Sequence, residues 1–215
     1  MLSFDVESLF TNVPLDETIK LASEYVYSDT SVKTPPFPKD TFVKLLKIAT
    51  GGIFMFKERF FKQIDGVTMG SPLGPTMANL FLAHHENTWM SNSKNIVPRL
   101  YLCYVDDIFC VFSQNVNHES FFDILNKSHA NIKFTVEIGN DLLPFLDTKI
   151  HIDKCSFESF VYRKQTNTNL LLNFNSKCPI QWKIGLIHCF LHRAYDICSN
   201  WSLFHVKLQH LKKYV

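Results

Sequence analysis

Two adjacent carboxylates stand at the centre of the most apolar run of the chain, and these residues could do chemistry. Asp106 and Asp107 interrupt the aromatic and β-branched segment 101–112. At the tip of a buried hairpin, neighbouring acids repel each other and lose hydration unless a cation neutralises them. Mg²⁺ is a hard ion that is held by one or two protein carboxylates together with substrate phosphates. The first hypothesis is therefore a metal-dependent phosphoryl-transfer site.

The same two residues also fit a plainer interpretation. Their flanks, 101–105 and 108–112, predict two strands, and two strands joined by a two-residue turn form a hairpin. Asp tolerates turn geometry, so the pair Asp106-Asp107 also suits an ordinary solvent-exposed turn. The choice between a turn and a metal site depends on the other residues of the chain.

The elements that must position these acids mix helices and strands. Residue patterns predict strands at 2–6, 53–56, 59–63, 132–137, and an antiparallel pair formed by 142–150 and 156–162. They predict helices at 14–26, 39–50, 76–86, 116–130, 179–198 and 201–214. A loop dense in Gly and Pro, 63–75, lies between the strand pair formed by 53–56 and 59–63 and the helix predicted at 76–86. Because helices and strands do not alternate strictly, the expected fold class is α+β.

Charge divides the chain into two parts, which we predict to be domains 1–160 and 161–215. Residues 160–215 carry eight Lys and Arg against one acid, a balance of +7, whereas residues 1–159 carry −5. A basic segment behind an acidic body favours contact with a polyanion such as nucleic acid. A solvated helical surface would explain the same charges.

Composition excludes several other classes of protein. The 215 residues are 46% hydrophobic, which is enough for one large core. The sequence has no run of about 18 apolar residues, so it does not predict a membrane span. The six Cys show no Cys-x-x-Cys spacing typical of zinc or redox sites. The N-terminus does not resemble a signal peptide. Since the chain begins inside a predicted strand, we expect a fragment of a longer protein.

Four motifs occur in one order that resembles a known family. They are Phe4–Pro14, Gly66–Leu73, Tyr104–Asp107 and Phe145–Lys149, and together they resemble the reverse transcriptase of Penelope-like retroelements over nearly the whole chain. Two further stretches, 163–169 and 193–199, resemble the helix-turn-helix-like segment that follows the polymerase in animal relatives. The chain departs from those relatives at Cys178-Pro179, where they tend to have His-Pro.

The resemblance implies a right-hand polymerase palm, an antiparallel sheet backed by helices. A small C-terminal helical segment would follow, and the fingers region would be largely missing. It implies that Asp5 and Asp106 bind the catalytic metals, Mg²⁺ or Mn²⁺, with Asp107 as the neighbouring carboxylate. Phe10 would screen against a ribose 2′-hydroxyl, although a core aromatic explains it too. The remaining implied site residues are Gly70, Ser71 and Pro72 under the template and incoming nucleotide.

The implied substrates are deoxynucleoside triphosphates, an RNA template and a DNA primer. Arg163 and Lys164 would contact the nucleic-acid backbone, unless they are solvated surface residues. A second hypothesis is a catalytically inactive relic or a nucleic-acid-binding protein that keeps the palm fold. A third is another metal-dependent palm enzyme such as a nucleotide cyclase, which the context of Phe10 and the Gly70 turn disfavours. A nuclear location would follow only from a chromosomal target.

Overall fold

The computed structural model describes residues 1–28, 33–93, 96–113, 115–153, 156–168 and 171–213. The chain forms two compact units, one comprising Phe4–Val136 and the other Met1–Ser3 with Glu137–Val215. Among the described helices, none combines the length and apolarity needed to cross a membrane.

The first eleven elements run through residue 138. The strands are β1 (Leu2–Val6), β2 (Ile53–Phe56), β3 (Arg59–Lys62), β4 (Leu100–Tyr104), β5 (Asp107–Val111) and β6 (Phe134–Ile138). The helices are α1 (Leu9–Asn12), α2 (Leu15–Ser28), α3 (Lys39–Ala49), α4 (Gly74–Asn92) and α5 (His118–Ser128). Most bounds lie within a few residues of the predicted ones. Helix α4, predicted at 76–86, is longer than predicted, because its apolar face continues to Trp89.

A four-stranded sheet in the order β4-β5-β1-β6 carries the predicted acids. In β1, Phe4 and Val6 are 1% and 2% exposed, whereas Asp5 between them is exposed. Successive side chains of a strand point to opposite faces. The alternation therefore directs Asp5 away from the packed face of the sheet.

The packed face is filled by aromatic and branched side chains from helices α4 and α5. Phe81, Trp89 and Phe121 are fully buried, and the rings of Phe4 and Phe121 lie 5.9 Å apart between centroids. Fully burying one such side chain contributes roughly 1.5–3 kcal/mol. The Asn117 side chain caps α5 by accepting from the Glu119 backbone N–H. These contacts fix the sheet whose opposite face holds Asp5.

The hairpin of β2 and β3 is exposed on both faces. All eight strand residues are exposed, including Phe54 and Phe60 at 53% and 78%. Its turn, Lys57-Glu58, has φ values of 47° and 61°, the left-handed geometry of a tight two-residue hairpin turn. The predicted strand pair is present, but apolar composition did not lead to burial.

The second unit contains β7 (Leu142–Phe145), β8 (Thr148–Asp153), β9 (Ser156–Val161), α6 (Ile180–Ile197) and α7 (Trp201–Leu211). The three strands form an antiparallel sheet in chain order. The prediction of one strand over 142–150 was wrong, because Leu146 adopts φ 53° and reverses the chain. Helices and antiparallel strands in both units confirm the α+β class.

Candidate active site

The turn between β4 and β5 differs by one residue from the predicted turn. Tyr104 pairs with Asp107, so the two turn residues are Val105 and Asp106 rather than the two acids. Val105 has φ 57°, a sparsely populated conformation for a β-branched residue. Asp107 begins β5 and belongs to the strand ladder. The adjacent acids therefore occupy different structural positions, one at the tip and one in the sheet.

Asp5 and Asp106 meet although they are a hundred residues apart in sequence. Strand β1 lies next to β5, and the Val6 backbone N–H donates to the Asp106 carbonyl at 3.1 Å. Burial raises the pKa of Asp5 above its usual 3.8, and the negative charges of Asp106 and Glu7 raise it further. A bound cation would favour the ionised carboxylate, so the pair has the electrostatics of a site for a positive ligand.

Glu7 is a residue whose proximity to this pair the sequence reasoning missed. It follows Asp5 by two positions, its charge acts on Asp5, and its backbone N–H donates to the Lys133 carbonyl at 2.8 Å. Strand β1 ends at Val6, and Glu7 lies in the turn that follows it. Its closeness to Asp5 in the sequence was the available signal, and Glu7 adds a third acid to the local field.

Phe10 is held against the loop that begins at Gly66. The Val67 backbone N–H donates to the Phe10 carbonyl at 2.6 Å. A Cβ added to Gly66 would lie 2.5 Å from the Thr11 carbonyl oxygen, and Gly66 has φ 75°. Only glycine fits this close approach of two backbones without strain. The structure thus brings together two motifs that the sequence separates by more than fifty residues.

The predicted nucleotide-contacting residues form an open turn before α4. Gly70 is exposed with φ 85°, and a Cβ there would meet no atom within 4 Å. The Ser71 backbone N–H donates to the Thr68 carbonyl at 3.0 Å, and Pro72 is exposed. A turn of this kind leaves backbone surface accessible to a ligand.

Arg163 and Lys164 lie in the second unit, directly after β9. Both line a cavity of about 370 Å³, and Arg163 contacts Nε2 of His210. Asp147, at the turn between β7 and β8, pairs with Arg193 at 2.9 Å.

Glu17, His85 and His129 form a second cluster that the sequence reasoning missed, since it placed His84-His85 among packing or surface residues. Their ligand atoms lie within 4.8 Å of one another, a spacing that a metal ion could bridge. The Asn131 backbone N–H donates to Nδ1 of His129 at 3.2 Å, so the proton of a neutral His129 ring lies on Nε2. Nε2 then donates to Glu17 at 3.3 Å.

The pKa shifts of Glu17 and His85 agree with a cluster held together by hydrogen bonds, which we call the clamp. Burial opposes the charge of Glu17, but hydrogen bonds from His129 and His85 lower its pKa overall. Burial lowers the pKa of His85 despite the nearby carboxylate. The cluster thus joins α2, α4 and the residue after α5 through an ionised Glu17 and two imidazoles.

Comparison with protein families places two matches on the chain. Residues 1–138 match the family described as reverse transcriptase (RNA-dependent DNA polymerase), and residues 170–214 match the animal helix-turn-helix domain. A comparison with curated protein sequences finds no match.

Solved polymerase structures share the fold at low sequence identity. Telomerase from Candida albicans, in complex with a fragment of telomeric RNA, has 12% identity and a TM-score of 0.60, covering 88% of this chain and 34% of that one. The Sicinivirus 3Dpol RNA-dependent RNA polymerase has 15% identity and a TM-score of 0.57, covering 99% and 46%. This chain therefore spans less than half the length of these two. The likeness confirms the predicted palm fold.

Proposed function

The chain belongs to the reverse transcriptase (RNA-dependent DNA polymerase) family, and on that premise we propose that it performs RNA-directed DNA synthesis as part of a Penelope-like retroelement. The observation that carries the proposal is the meeting of Asp5 and Asp106 on neighbouring strands, where burial and then the charge of Asp106 raise the pKa of Asp5. The order of the four motifs and the animal helix-turn-helix match after the polymerase family match support the assignment to a retroelement.

Asp5 and Asp106 would hold the divalent ions, with Asp107 as the neighbouring carboxylate. Their donors are hard oxygens, which suit Mg²⁺ or Mn²⁺. A bound pair of ions would activate the primer 3′-oxygen and stabilise the departing pyrophosphate. The contribution of this chain is to fix the two carboxylates from separate strands, so that little reorganisation is needed when the ions and the triphosphate bind.

Phe10 is proposed to select the sugar of the incoming nucleotide, and Gly70, Ser71 and Pro72 to lie beneath the template and nucleotide. The hydrogen bond between Val67 and Phe10 supports a shared role, because it ties the aromatic residue to that loop. In an extending enzyme, Phe10→Ala should increase ribonucleotide incorporation relative to deoxynucleotides. Unchanged sugar discrimination would remove this role.

We propose that residues 1–160 and residues 161–215 have separate functions. The first part would carry the palm chemistry, and the second, with Arg163 and Lys164, would contact the sugar–phosphate backbone of the primed template. The concentration of positive charge in the second part supports this assignment.

A second candidate is a catalytically inactive protein that binds nucleic acid. The basic cavity of the second unit favours it, because binding there requires no metal and no turnover. This candidate predicts retained, salt-sensitive RNA binding without primer extension.

The test combines turnover with metal binding. The full chain is incubated with a DNA primer on an RNA template, deoxynucleoside triphosphates and Mg²⁺ or Mn²⁺, beside its Asp5→Asn variant. We expect metal-dependent extension by the wild type alone, and Mn²⁺ should raise the melting temperature of the wild type more than that of the variant. No extension together with equal Mn²⁺ effects on both proteins would reject the polymerase proposal.

A further inference from the structure

A cavity of about 370 Å³ in the second unit is lined by an excess of positive charge. It is formed by the turn between β7 and β8, the segment after β9, and helices α6 and α7. Its charged lining residues are four basic side chains and one acid, namely Arg163, Lys164, Arg193, Lys207 and Asp147. The single acid leaves the lining with a net positive charge of three.

Arg193 has donor capacity left after its ion pair. Its Nη2 lies 2.9 Å from Asp147 Oδ1, whereas its Nε is buried and has no hydrogen-bond partner among the described residues. A buried N–H without an acceptor costs about 1–3 kcal/mol. An acceptor bound in the cavity would remove that cost.

Lys207 is half-buried beside other cations. In the part of the chain that the structure describes, no carboxylate forms an ion pair with it. Burial first, and then the charges of Arg163 and Arg193, lower the pKa of Lys207 to about 8, with only Cys198 acting in the opposite direction. The pKa of His210, on the same helix, is also lowered by burial and by Arg163 and Lys207. Because Lys207, Arg163 and Arg193 all line the cavity, their crowded positive charges favour an anion there.

We infer that this cavity binds a phosphodiester group of a nucleic-acid strand, with Lys207 and Arg193 as its principal contacts beside Arg163 and Lys164. The inference deepens the proposed function and rests on it for the identity of the strand. It adds two residues that come from different helices and that the sequence alone did not single out.

The size and lining of the cavity favour a nucleotide unit over a simple ion. Its volume lies in the range of small-molecule sites, about 300–1,000 Å³. Apolar walls from Leu171 and Phe190 would contact a sugar, and Thr166 and Asn167 supply polar groups at the same cavity. Guanidinium groups bind phosphate oxygens in a directional way that suits a diester held in one orientation.

The experiment measures binding without catalysis. The full chain is titrated into a fluorescently labelled single-stranded oligonucleotide in the presence of EDTA, and anisotropy gives Kd at several salt concentrations. Lys207→Met should weaken binding by about tenfold and reduce the slope of log K against log salt by about 1. The matched control Lys212→Met removes the same charge five residues away, at an exposed position outside the cavity, and should change Kd by less than about twofold.

The pH dependence separates a cavity lysine from general surface charge. Lys207 binds an anion fully only while protonated, so wild-type affinity should fall as the pH rises through about 8. Lys207→Arg stays charged over this range and should retain its affinity when the pH rises from about 7 to about 9. An identical fall in wild type and Lys207→Arg would contradict the inference.

Folding controls keep the outcomes distinct. Removing a half-buried cation that lacks an anionic partner should leave the melting temperature of Lys207→Met unchanged or higher, so weaker binding would not reflect unfolding. Equal losses in Lys207→Met and Lys212→Met would overturn the inference. So would a loss confined to deoxynucleoside triphosphate binding, because the cavity would then serve the free nucleotide.

The binding result is also independent of the polymerase test. If the chain fails to extend a primer but Lys207→Met selectively weakens strand binding, the cavity assignment stands and the catalytic proposal fails. If extension is intact and Lys207→Met binds like the wild type, the catalytic proposal stands and the cavity assignment fails.

Discussion

Two hairpin turns in this chain share one backbone design and differ in the charge that surrounds their acid. In Tyr104-Val105-Asp106-Asp107 and in Phe145-Leu146-Asp147-Thr148, an aromatic residue is followed by a branched residue with positive φ and then by Asp. Each Asp carbonyl accepts a backbone N–H from outside its hairpin, Val6 for Asp106 at 3.1 Å and Tyr162 for Asp147 at 2.8 Å.

The environments of the two acids are opposite. Asp106 lies near another acid and raises the pKa of Asp5, whereas Asp147 pairs with Arg193 at 2.9 Å. The backbone therefore places an Asp at the same point in both turns, and the neighbouring charges decide what it can do. An acid beside another acid favours binding a metal ion, whereas an acid beside a guanidinium holds that side chain in place.

The largest expected difference between the turns is in catalysis. Asp106→Asn should reduce primer extension by at least about 100-fold, because it removes a charge that would stabilise the metal ions in the transition state. Asp147→Asn, the same isosteric change at the matched position, should change extension at saturating primer–template by no more than about threefold, because saturation removes any effect on strand binding. The measurement is single-turnover extension at saturating Mg²⁺. Equal losses in both variants would show that Asp106 and Asp147 do not differ in their contribution to extension.

The pH dependence of stability should sharpen the contrast. Because the pKa of Asp5 is raised above 3.8 in the folded chain, its ionised form destabilises the fold at pH values above the raised pKa, and this cost disappears below 3.8. Asp5→Asn should therefore gain stability relative to wild type as the pH rises through that window. Urea unfolding at a series of pH values gives the difference.

The control for this prediction is the background that lacks the second acid. In Asp106→Asn, the pKa of Asp5 loses one of the charges that raise it, so the gain from Asp5→Asn should shrink. A gain of the same size in both backgrounds would mean that the charge of Asp106 does not contribute to the raised pKa of Asp5.

The smallest effect should come from the ion pair of the second turn. The Arg193 and Asp147 side chains are 34% and 73% exposed, so their attraction is screened and should contribute no more than about 1 kcal/mol. A double-mutant cycle of Asp147→Asn and Arg193→Met should give an attractive coupling that weakens with salt. A coupling of zero at low salt would contradict this prediction, because Asp147 and Arg193 would then not attract each other measurably.

Much of the fold follows from local patterns. Strand β1 was predicted with its observed bounds, because its apolar residues alternate with polar ones, and the two C-terminal helices began close to the predicted residues. The turn at Leu146 was missed, since a Leu with positive φ contradicts its own local preference and is imposed by the pairing of β7 with β8. The exposure of β2 and β3 depends on what surrounds them, which the residues of the hairpin do not encode.

The candidate site was predictable only in part, for a related reason. The motif resemblance singled out Asp5, Asp106 and Phe10, and the structure brings the first two together. Their assigned roles stay predictions. The cavity of the second unit joins residues from the turn after β7 to α7, and the separate basic positions gave no sign of a shared concave site. The clamp at Glu17 likewise joins three segments with no common spacing.

The contact at Gly66 has a consequence for any genetic screen of this protein. A methyl group there would push against the Thr11 backbone, next to Phe10, without altering a single charge. Inactive clones collected blindly would mix such steric lesions with losses of the acids. A stability assay on each clone would distinguish variants whose backbone is displaced from variants that have lost a proposed metal-binding carboxylate.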